Sequence, residues 1–189
     1  MRRFLGYFVT PWNIIALLLV AGVLLLRDWQ LRPTPLAIDP ALLQGDQDGK
    51  GQISLRLYFG ALDGRNYSVE PRNVPVNGDT LEYRALGAVR AWMAGPQAAQ
   101  SLRLVPQDAG TPTVYARKDT VYVDIPQEWQ TYQLGLSGET LLYCGLSSTL
   151  LELQGAGSVQ YLLNGKPAAT IGGTLETSAP YTKDTCPKQ

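Results

Sequence analysis

The chain has 189 residues, in which 16 lysines and arginines balance 16 aspartates and glutamates. This length suits one ordinary domain with an attached segment, and zero net charge gives no bulk electrostatic attraction to nucleic acid. Histidine is absent, which removes the commonest general base, the usual partner of serine and cysteine nucleophiles, and the commonest metal ligand. Composition therefore argues against most enzyme classes, and we expect no cofactor and no bound metal.

Residues 1–29 are predicted to form an N-terminal transmembrane anchor. No charged residue occurs from Phe4 to Leu26, and about 23 helical residues span roughly 34 Å, enough for the hydrocarbon core of a bilayer. Arg2 and Arg3 favour retention of this end in the cytoplasm. A cleaved signal peptide is the alternative, but no small-residue cleavage site follows the apolar run. The sequence therefore favours a single-pass protein of the cytoplasmic membrane with its C-terminal domain outside the cytoplasm.

Beyond the anchor the chain divides into a linker, a domain and a short tail. Residues 30–52 contain three prolines and no sustained apolar period, which is typical of a linker. Regular apolar patterns begin at residue 53 and the predicted domain covers residues 53–183. Residues 184–189 form the C-terminal tail.

The first half of the predicted domain contains two strands and a helix. Residues 53–59 alternate apolar and polar side chains, as a strand with one buried face does. Residues 67–76 are predicted to be an extended edge segment, because prolines interrupt it. Either this edge is open to pairing with another chain, or its prolines block such pairing. Residues 79–94 carry one apolar face at helical spacing, and a Gly-Pro pair ends this helix.

The second half adds a hairpin, a second helix and a further strand pair. Residues 113–116 and 121–124 are predicted to form the hairpin arms. Ser137 is a candidate cap for a helix that runs to about residue 153. A strand at 158–163 is expected to turn at an Asn-Gly pair and return at 168–171. This order predicts an α+β fold in which two helices pack on one face of a small mixed sheet.

Several short motifs in this order resemble the GerMN domain of sporulation and germination proteins. They are Leu-Tyr-Phe at 57–59, Ala-Gly-Pro at 94–96, the hairpin at 114–124, Ser-Thr-Leu-Leu-Glu at 148–152 and Val-Gln-Tyr-Leu-Leu-Asn-Gly-Lys at 159–166. The resemblance covers roughly residues 53–183. It implies a GerMN-like module outside the cytoplasmic membrane, of the kind found on lipoproteins and single-pass anchors.

The resemblance also implies a function without catalysis. GerMN-like domains are regarded as scaffold or interaction modules, and no catalytic residue transfers to this sequence. We therefore expect a noncatalytic envelope scaffold that binds envelope proteins or associates with itself. The alternative is a protein that binds or modifies cell-wall glycan (peptidoglycan).

Trp129 and Tyr132 are the candidate binding residues. Both lie between the hairpin and the second helix, where neither strand nor helix periodicity assigns them to a core. Tryptophan and tyrosine are enriched at the centres of protein interfaces, and their rings also stack on sugars. We therefore expect both side chains to be exposed contacts, while the other aromatic residues pack the core.

Cys144 and Cys186 both lie in the part of the chain predicted to be outside the cytoplasm, where thiols oxidise and remain paired. A disulfide between them would tie the C-terminal tail to the second helix. Alternatively, Cys144 is a small buried apolar residue and Cys186 a free thiol in the tail. Sequence alone leaves these alternatives open, because it does not give the separation of the two residues.

Candidate catalytic groups are few. Cys144 and the neighbouring serines lack a histidine base and lie inside a predicted helix, which disfavours nucleophilic catalysis. A carboxylate pair of the kind that hydrolyses glycosides requires two acids at a set separation, and the sequence fixes no such pair. The candidate acids are Asp63, Glu70, Asp124, Glu128 and Glu139. We therefore assign no catalytic residue.

Overall fold

In the computed structural model, which describes residues 51–186, six strands and two α-helices form an α+β domain. In chain order these elements are β1 (Gln52–Ala61), β2 (Tyr67–Pro75), α1 (Leu81–Met93), β3 (Ser101–Leu102), β4 (Thr113–Arg117), β5 (Thr120–Ile125), α2 (Gly135–Leu151) and β6 (Ser158–Leu163). The predicted transmembrane anchor and nearly all of the linker lie outside the described residues. Within residues 51–186, no helix combines the length and apolar character needed to cross a membrane.

The strands form two three-stranded sheets. The first has the order β2-β1-β3 and is antiparallel. In the second, β4 pairs antiparallel with β5, and β5 pairs parallel with β6. A parallel pair requires a crossover, which α2 provides. The predicted α+β class with two helices and a mixed sheet is confirmed, and the strands divide between two sheets where the sequence suggested one.

Both helices connect the two sheets. Helix α1 contacts β1 of the first sheet and β4 of the second, while α2 contacts β1 and β6, and the helices also touch each other. Thr80 caps α1 by accepting a hydrogen bond from the Tyr83 N–H (3.4 Å). The core therefore lies around the helices and is shared by the two sheets.

Helix α2 is buried on almost all sides, and its Leu146 and Leu150 have no exposed surface. Gly145 allows close packing, since a Cβ there would lie 2.9 Å from the Tyr58 carbonyl oxygen. The helix begins at Gly135, so the predicted cap at Ser137 is wrong. Gly135 has a φ of 65°, a conformation that glycine adopts without steric cost, and the chain enters the helix two residues earlier.

The free edge of β1 is covered by side chains of both helices. The Tyr58 N–H donates to Thr149 Oγ1 of α2 (3.0 Å), and the Tyr58 carbonyl accepts from Trp92 Nε1 of α1 (2.8 Å). Phe59, the next residue, stacks on the Trp92 ring. The main-chain groups of Tyr58 that have no strand partner are thereby satisfied.

The outer edge of β2 is protected by its prolines. Pro71 lies opposite Arg56, and Pro75 lies opposite Gln52. Main-chain hydrogen bonds at the two ends of the β1–β2 ladder place both pairs at non-hydrogen-bonded positions. The missing proline N–H groups therefore face outward, and no bond to β1 is lost. Of the two alternatives for this edge, the structure favours the blocked one.

The segment after β6 is irregular. The predicted returning strand at 168–171 is absent, and this part of the described chain makes isolated bridges only. The segment instead closes on the outer side of β6, where Val159 and Tyr181 exchange two main-chain hydrogen bonds (2.8 and 2.7 Å). Proline and paired glycines near the expected strand disfavour a regular ladder there.

Candidate functional site

The expectation that Trp129 is an exposed contact is wrong. Its side chain is 1% exposed, and its indole N–H donates to the Gly110 carbonyl (3.1 Å). The short 3-10 helix Gln127–Thr131 turns this ring into the core. Strand and helix periodicity carries no information about such a segment, which is why the sequence did not reveal the burial. Trp129 holds the loop before β4 in place.

Tyr132 lies next to Trp129 and is partly exposed. The two ring centroids are 6.2 Å apart, and Tyr132 packs against the rim of the core. Burial, together with the negative charges of Glu128 and Asp108, raises the pKa of the Tyr132 phenol. Tyr132 thus retains a surface for contact, while its neighbour Trp129 does not.

Cys144 and Cys186 form a disulfide in the structure. Their Cα atoms are 5.5 Å apart, within the range that disulfides adopt. Cys144 lies in the middle of the buried helix α2, and Cys186 lies at the end of the described chain. The bond therefore fixes the C-terminal segment to the centre of the core.

Each of the five acids considered for catalysis accepts hydrogen bonds from main-chain N–H groups. The donors are Arg65 and Asn66 for Asp63, Gln97 and Ala98 for Glu70, Gly165 for Asp124, Gly110 for Glu128, and Thr174 and Leu175 for Glu139. These acids therefore hold loops and turns in place. Among residues 51–186, histidine, cysteine and acidic side chains form no group that could hold a metal ion.

Among these five acids, Glu70 combines main-chain hydrogen bonds with a salt bridge. Its carboxylate also pairs with Arg72, which in turn donates to the Gly95 carbonyl at the end of α1 (2.8 Å). Burial on its own raises the pKa of Glu70, but hydrogen bonds from Gln97, Arg72 and neighbouring groups outweigh it and lower the pKa to about 2. Glu70 therefore stays ionised at neutral pH and anchors the end of α1 to β2.

Glu139 is buried in α2, with Oε2 accepting from Thr174 (3.2 Å) and Leu175 (2.7 Å). Its second oxygen, Oε1, has no hydrogen-bond partner among the described residues. Gly172 lies against the carboxyl group, because a Cβ at this position would come 2.7 Å from Glu139 Cδ. The loop that contains Gly172, Thr174 and Leu175 therefore packs closely around Glu139. It leaves no space for a ligand beside the carboxylate on the Gly172 side.

An aromatic pair lies on the outer face of the second sheet. Tyr115 of β4 and Tyr122 of β5 are directly opposite each other, and their rings stack with centroids 5.4 Å apart. Both side chains are partly exposed. Burial and the nearby Asp124 charge raise the pKa of Tyr115. Flat, partly exposed rings of this kind can contact a sugar or a protein side chain.

Large apolar side chains are exposed near the end of β1 and at the start of α2. The large apolar side chains exposed among residues 51–186 are Leu62 (68%), Leu136 (57%), Leu102 (39%) and Val69 (37%). Sequence periodicity did not single out these residues. One signal was present, because Leu62 is an apolar residue directly before the Asp-Gly turn, where polar residues are usual.

Comparison with solved structures places the fold among GerMN domains. The first GerMN domain of the sporulation protein GerM from Bacillus subtilis matches with a TM-score of 0.53 and 16% identity, over 70% of this chain and 98% of that one. The tandem GerMN domains of GerM match with a TM-score of 0.53 and 17% identity, over 71% of this chain and 47% of that one.

A third similar structure is a presumed lipoprotein from Clostridium perfringens. It matches with a TM-score of 0.51 and 23% identity, over 71% of this chain and 89% of that one. At these identities the likeness concerns the fold. A comparison with curated protein sequences finds no significant match.

A family model described as Germane, sporulation and spore germination, matches residues 56–169. This match covers more than half of the chain, from β1 to just beyond β6. It agrees with the resemblance found in the sequence motifs and with the fold of the similar structures. The chain therefore belongs to the Germane family of sporulation and spore germination domains.

Proposed function

We propose that this protein is a noncatalytic envelope scaffold, anchored in the cytoplasmic membrane by residues 1–29, whose domain acts outside the cytoplasm through protein contacts. The observation that carries the proposal is the family match over residues 56–169, together with the fold shared with GerMN domains of a sporulation protein. A similar structure from a presumed lipoprotein is consistent with an envelope location.

The disulfide supports an extracytoplasmic location for the domain. Cys144 and Cys186 are bonded in the structure, and the described residues contain no free cysteine. Structural disulfides persist in oxidising compartments and are rare in the cytosol. The disulfide therefore favours a domain outside the cytoplasm. The positive N-terminus of the chain favours the same orientation.

The acids support a scaffold role. All five carboxylates that the sequence offered as candidate catalysts bind main-chain N–H groups of loops and turns. A catalytic pair of acids must instead face a substrate at a set separation. The polar chemistry of the domain thus serves to hold its own surface loops in fixed positions, as an interaction module requires.

Cell fractionation of the full chain tests the location. We expect the protein in the membrane fraction, and we expect Leu18→Arg with Leu19→Arg to release it, since arginine at the centre of a membrane helix costs about 3 kcal/mol per residue. Leu42→Arg with Leu43→Arg in the linker is the matched control and should leave the protein in the membrane. Equal release by both pairs, or by neither, would contradict the anchor.

Crosslinking in intact cells, followed by mass spectrometry, tests the scaffold role. We expect the full chain to form a discrete product with one envelope protein or with itself. A protein that stays monomeric at native expression, although it fractionates with the membrane, would exclude the scaffold role and leave the location intact.

Glycan binding is the second candidate function, and the stacked pair Tyr115 and Tyr122 favours it. Partly exposed tyrosine rings present a flat apolar face and a polar hydroxyl, and a sugar ring can stack on such a face. If the domain binds glycan, purified wall material should retain the detergent-solubilised full chain, and Tyr115→Ala should abolish retention, whereas Tyr83→Ala on α1 should not. Retention that is equal in all three proteins would exclude this surface.

A further inference from the structure

The exposed apolar residues of the domain share one end of it. Leu102 on β3 lies directly opposite Gly60 of β1, and Leu62 follows two residues after Gly60. Val69 on β2 lies opposite Tyr58, two residues before Gly60. Three of the four exposed apolar side chains therefore lie where β1 ends and turns into β2.

The fourth residue, Leu136, reaches the same end through α2. Tyr67, which pairs with Gly60, donates its hydroxyl to the Thr140 carbonyl of α2 (3.3 Å). Leu136 lies one helical turn before Thr140, and its own carbonyl accepts from Thr140 Oγ1 (2.7 Å). One turn advances about 5.4 Å, so Leu136 lies within about one helical turn of Thr140, the residue that Tyr67 ties to the end of β1. We call Leu62, Val69, Leu102 and Leu136 the apolar end.

Two opposite charges flank Leu62 in the β1–β2 turn. Asp63 is held by hydrogen bonds from the N–H groups of Arg65 and Asn66 (2.9 Å each), and these bonds lower its pKa. Among the described residues, no carboxylate forms an ion pair with the Arg65 guanidinium. The Arg65 charge contributes to lowering the pKa of Asp63 without forming a salt bridge to it, so the turn presents two opposite charges beside the most exposed leucine.

We propose that the apolar end is a self-association surface, on which a second copy of the chain packs about a twofold axis through the two β1–β2 turns. In this arrangement Leu62 and Leu136 of the two copies pack together, and Asp63 of each copy faces Arg65 of the other. The proposal deepens the proposed scaffold function and rests on it, because it assumes that copies share one membrane.

Charge and symmetry favour a second copy as the occupant. A twofold contact uses the same patch on both molecules, and a turn that carries one aspartate and one arginine on either side of its centre is complementary to itself. A partner of strong net charge would gain from only one of these two residues. The chain itself carries no net charge that would oppose self-association.

The size of the apolar end agrees with association on a membrane. Four side chains form a smaller surface than the roughly 800 Å² per partner that stable dimers bury, so the contact is expected to be weak in solution. Tethering to one membrane raises the effective concentration of copies. The dimer is therefore expected in the membrane and not in dilute detergent solution.

Thiol crosslinking of the full chain in intact membranes tests the proposal. Leu62→Cys places a thiol at the twofold axis, and Ser54→Cys is the control, since it is an exposed position near the opposite end of β1, about 26 Å away. A short bismaleimide reacts with free thiols and leaves the Cys144–Cys186 bond untouched. We expect Leu62→Cys to form a crosslinked dimer at least tenfold more than Ser54→Cys.

Charge reversal tests the same contact. Arg65→Glu in the Leu62→Cys background should lower the dimer yield severalfold, because each Asp63 then faces a like charge. Arg117→Glu makes the same change of charge on the exposed β4–β5 hairpin and should leave the yield unchanged. If the two substitutions lower the dimer yield equally, the yield depends on the net charge of the chain and not on the Asp63–Arg65 contact. That result would overturn the proposed contact.

The outcomes separate this proposal from the proposed function. If Leu62→Cys crosslinks no more than Ser54→Cys, while the chain stays in the membrane fraction, self-association through the apolar end is excluded and the envelope location stands. Crosslinking of Leu62→Cys to a different protein also overturns the second copy as occupant. A chain found outside the membrane fraction contradicts the proposed function itself.

Discussion

At the scale of single residues, several polar and aromatic side chains among residues 51–186 hold the main chain in place. Trp129 donates to Gly110, Trp92 donates to Tyr58, and Glu139 accepts from the loop that passes over it. A side chain bound to a main-chain group has a fixed orientation and a reduced capacity for a ligand. In the described part of the chain, the large exposed apolar side chains are Leu62, Val69, Leu102 and Leu136.

Glu70 gives a prediction about pH. Its pKa is lowered from 4.5 to about 2, so the fold prefers the ionised form. Its contribution to the free energy of unfolding is complete above pH 4.5 and is lost as the pH falls towards 2. We expect Glu70→Gln to lower the free energy of unfolding at pH 7 by about 1–3 kcal/mol. The variant should also lose less stability than the unmodified chain between pH 4.5 and 2.

Urea unfolding at a series of pH values measures this effect. Glu128→Gln is the control, because Glu128 is exposed and also accepts a main-chain hydrogen bond. If Glu70→Gln retains the full acid dependence of the unmodified chain, another group causes that dependence.

At the scale of elements, β1 is the centre of the domain. It pairs with β2 along its whole length and with β3 at its end. Both α1 and α2 pack against it. Its free edge is closed by Thr149 and Trp92, and the opposite edge of the sheet, on β2, carries Pro71 and Pro75. Open strand edges template aggregation. Neither long edge of the first sheet is therefore open for strand pairing.

Thr149 provides a test of edge closure. Its hydroxyl accepts from the Tyr58 N–H and donates to the Gly145 carbonyl (2.9 Å). Thr149→Val keeps the shape and removes the acceptor, so the buried N–H loses its partner at a cost of about 1–3 kcal/mol. Thr140→Val removes a comparable hydrogen bond within α2 only and should cost less. Equal losses in thermal or urea unfolding would contradict a role in closing the edge.

At the scale of the whole molecule, the two sheets depend on a shared core. Helix α2 passes through this core, and the disulfide from Cys144 joins it to Cys186 across 42 residues of sequence. The closed loop includes β6 and the irregular segment that pairs with it through Tyr181. The C-terminal segment therefore belongs to the fold, although it has no regular secondary structure.

Removal of the disulfide should destabilise the whole domain. Chain entropy predicts about 4 kcal/mol for a closed loop of this length, and measured values are usually 2–4 kcal/mol. We expect the double variant Cys144→Ala with Cys186→Ala to lose stability in this range and to expose the C-terminal segment to protease before the rest unfolds. Unchanged unfolding of the double variant would show that the bond adds nothing to the packing of Tyr181.

The strands and helices were predictable because their patterns are local. Alternation in β1, the hairpin arms of β4 and β5, and the apolar face of α1 depend on residues within one or two turns of each other. The burial of Trp129 depends on a distant partner, the Gly110 carbonyl, which no local pattern reports. The start of α2 and the missing strand at 168–171 have local causes, a glycine with positive φ and a proline with paired glycines, but strand and helix periodicity does not register either of them.

The sequence by itself determined the α+β class, the order of the elements, the resemblance to GerMN domains and the exclusion of histidine chemistry, because composition and short-range periodicity carry this information. Only the tertiary structure decided that the strands form two sheets, that the cysteines meet, that five acids hold loops, and that Leu62, Val69 and Leu102 are exposed around the end of β1. Each of these features joins residues that are far apart in the chain. The distances between such residues in space are set by the packing of the core, which local sequence patterns do not record.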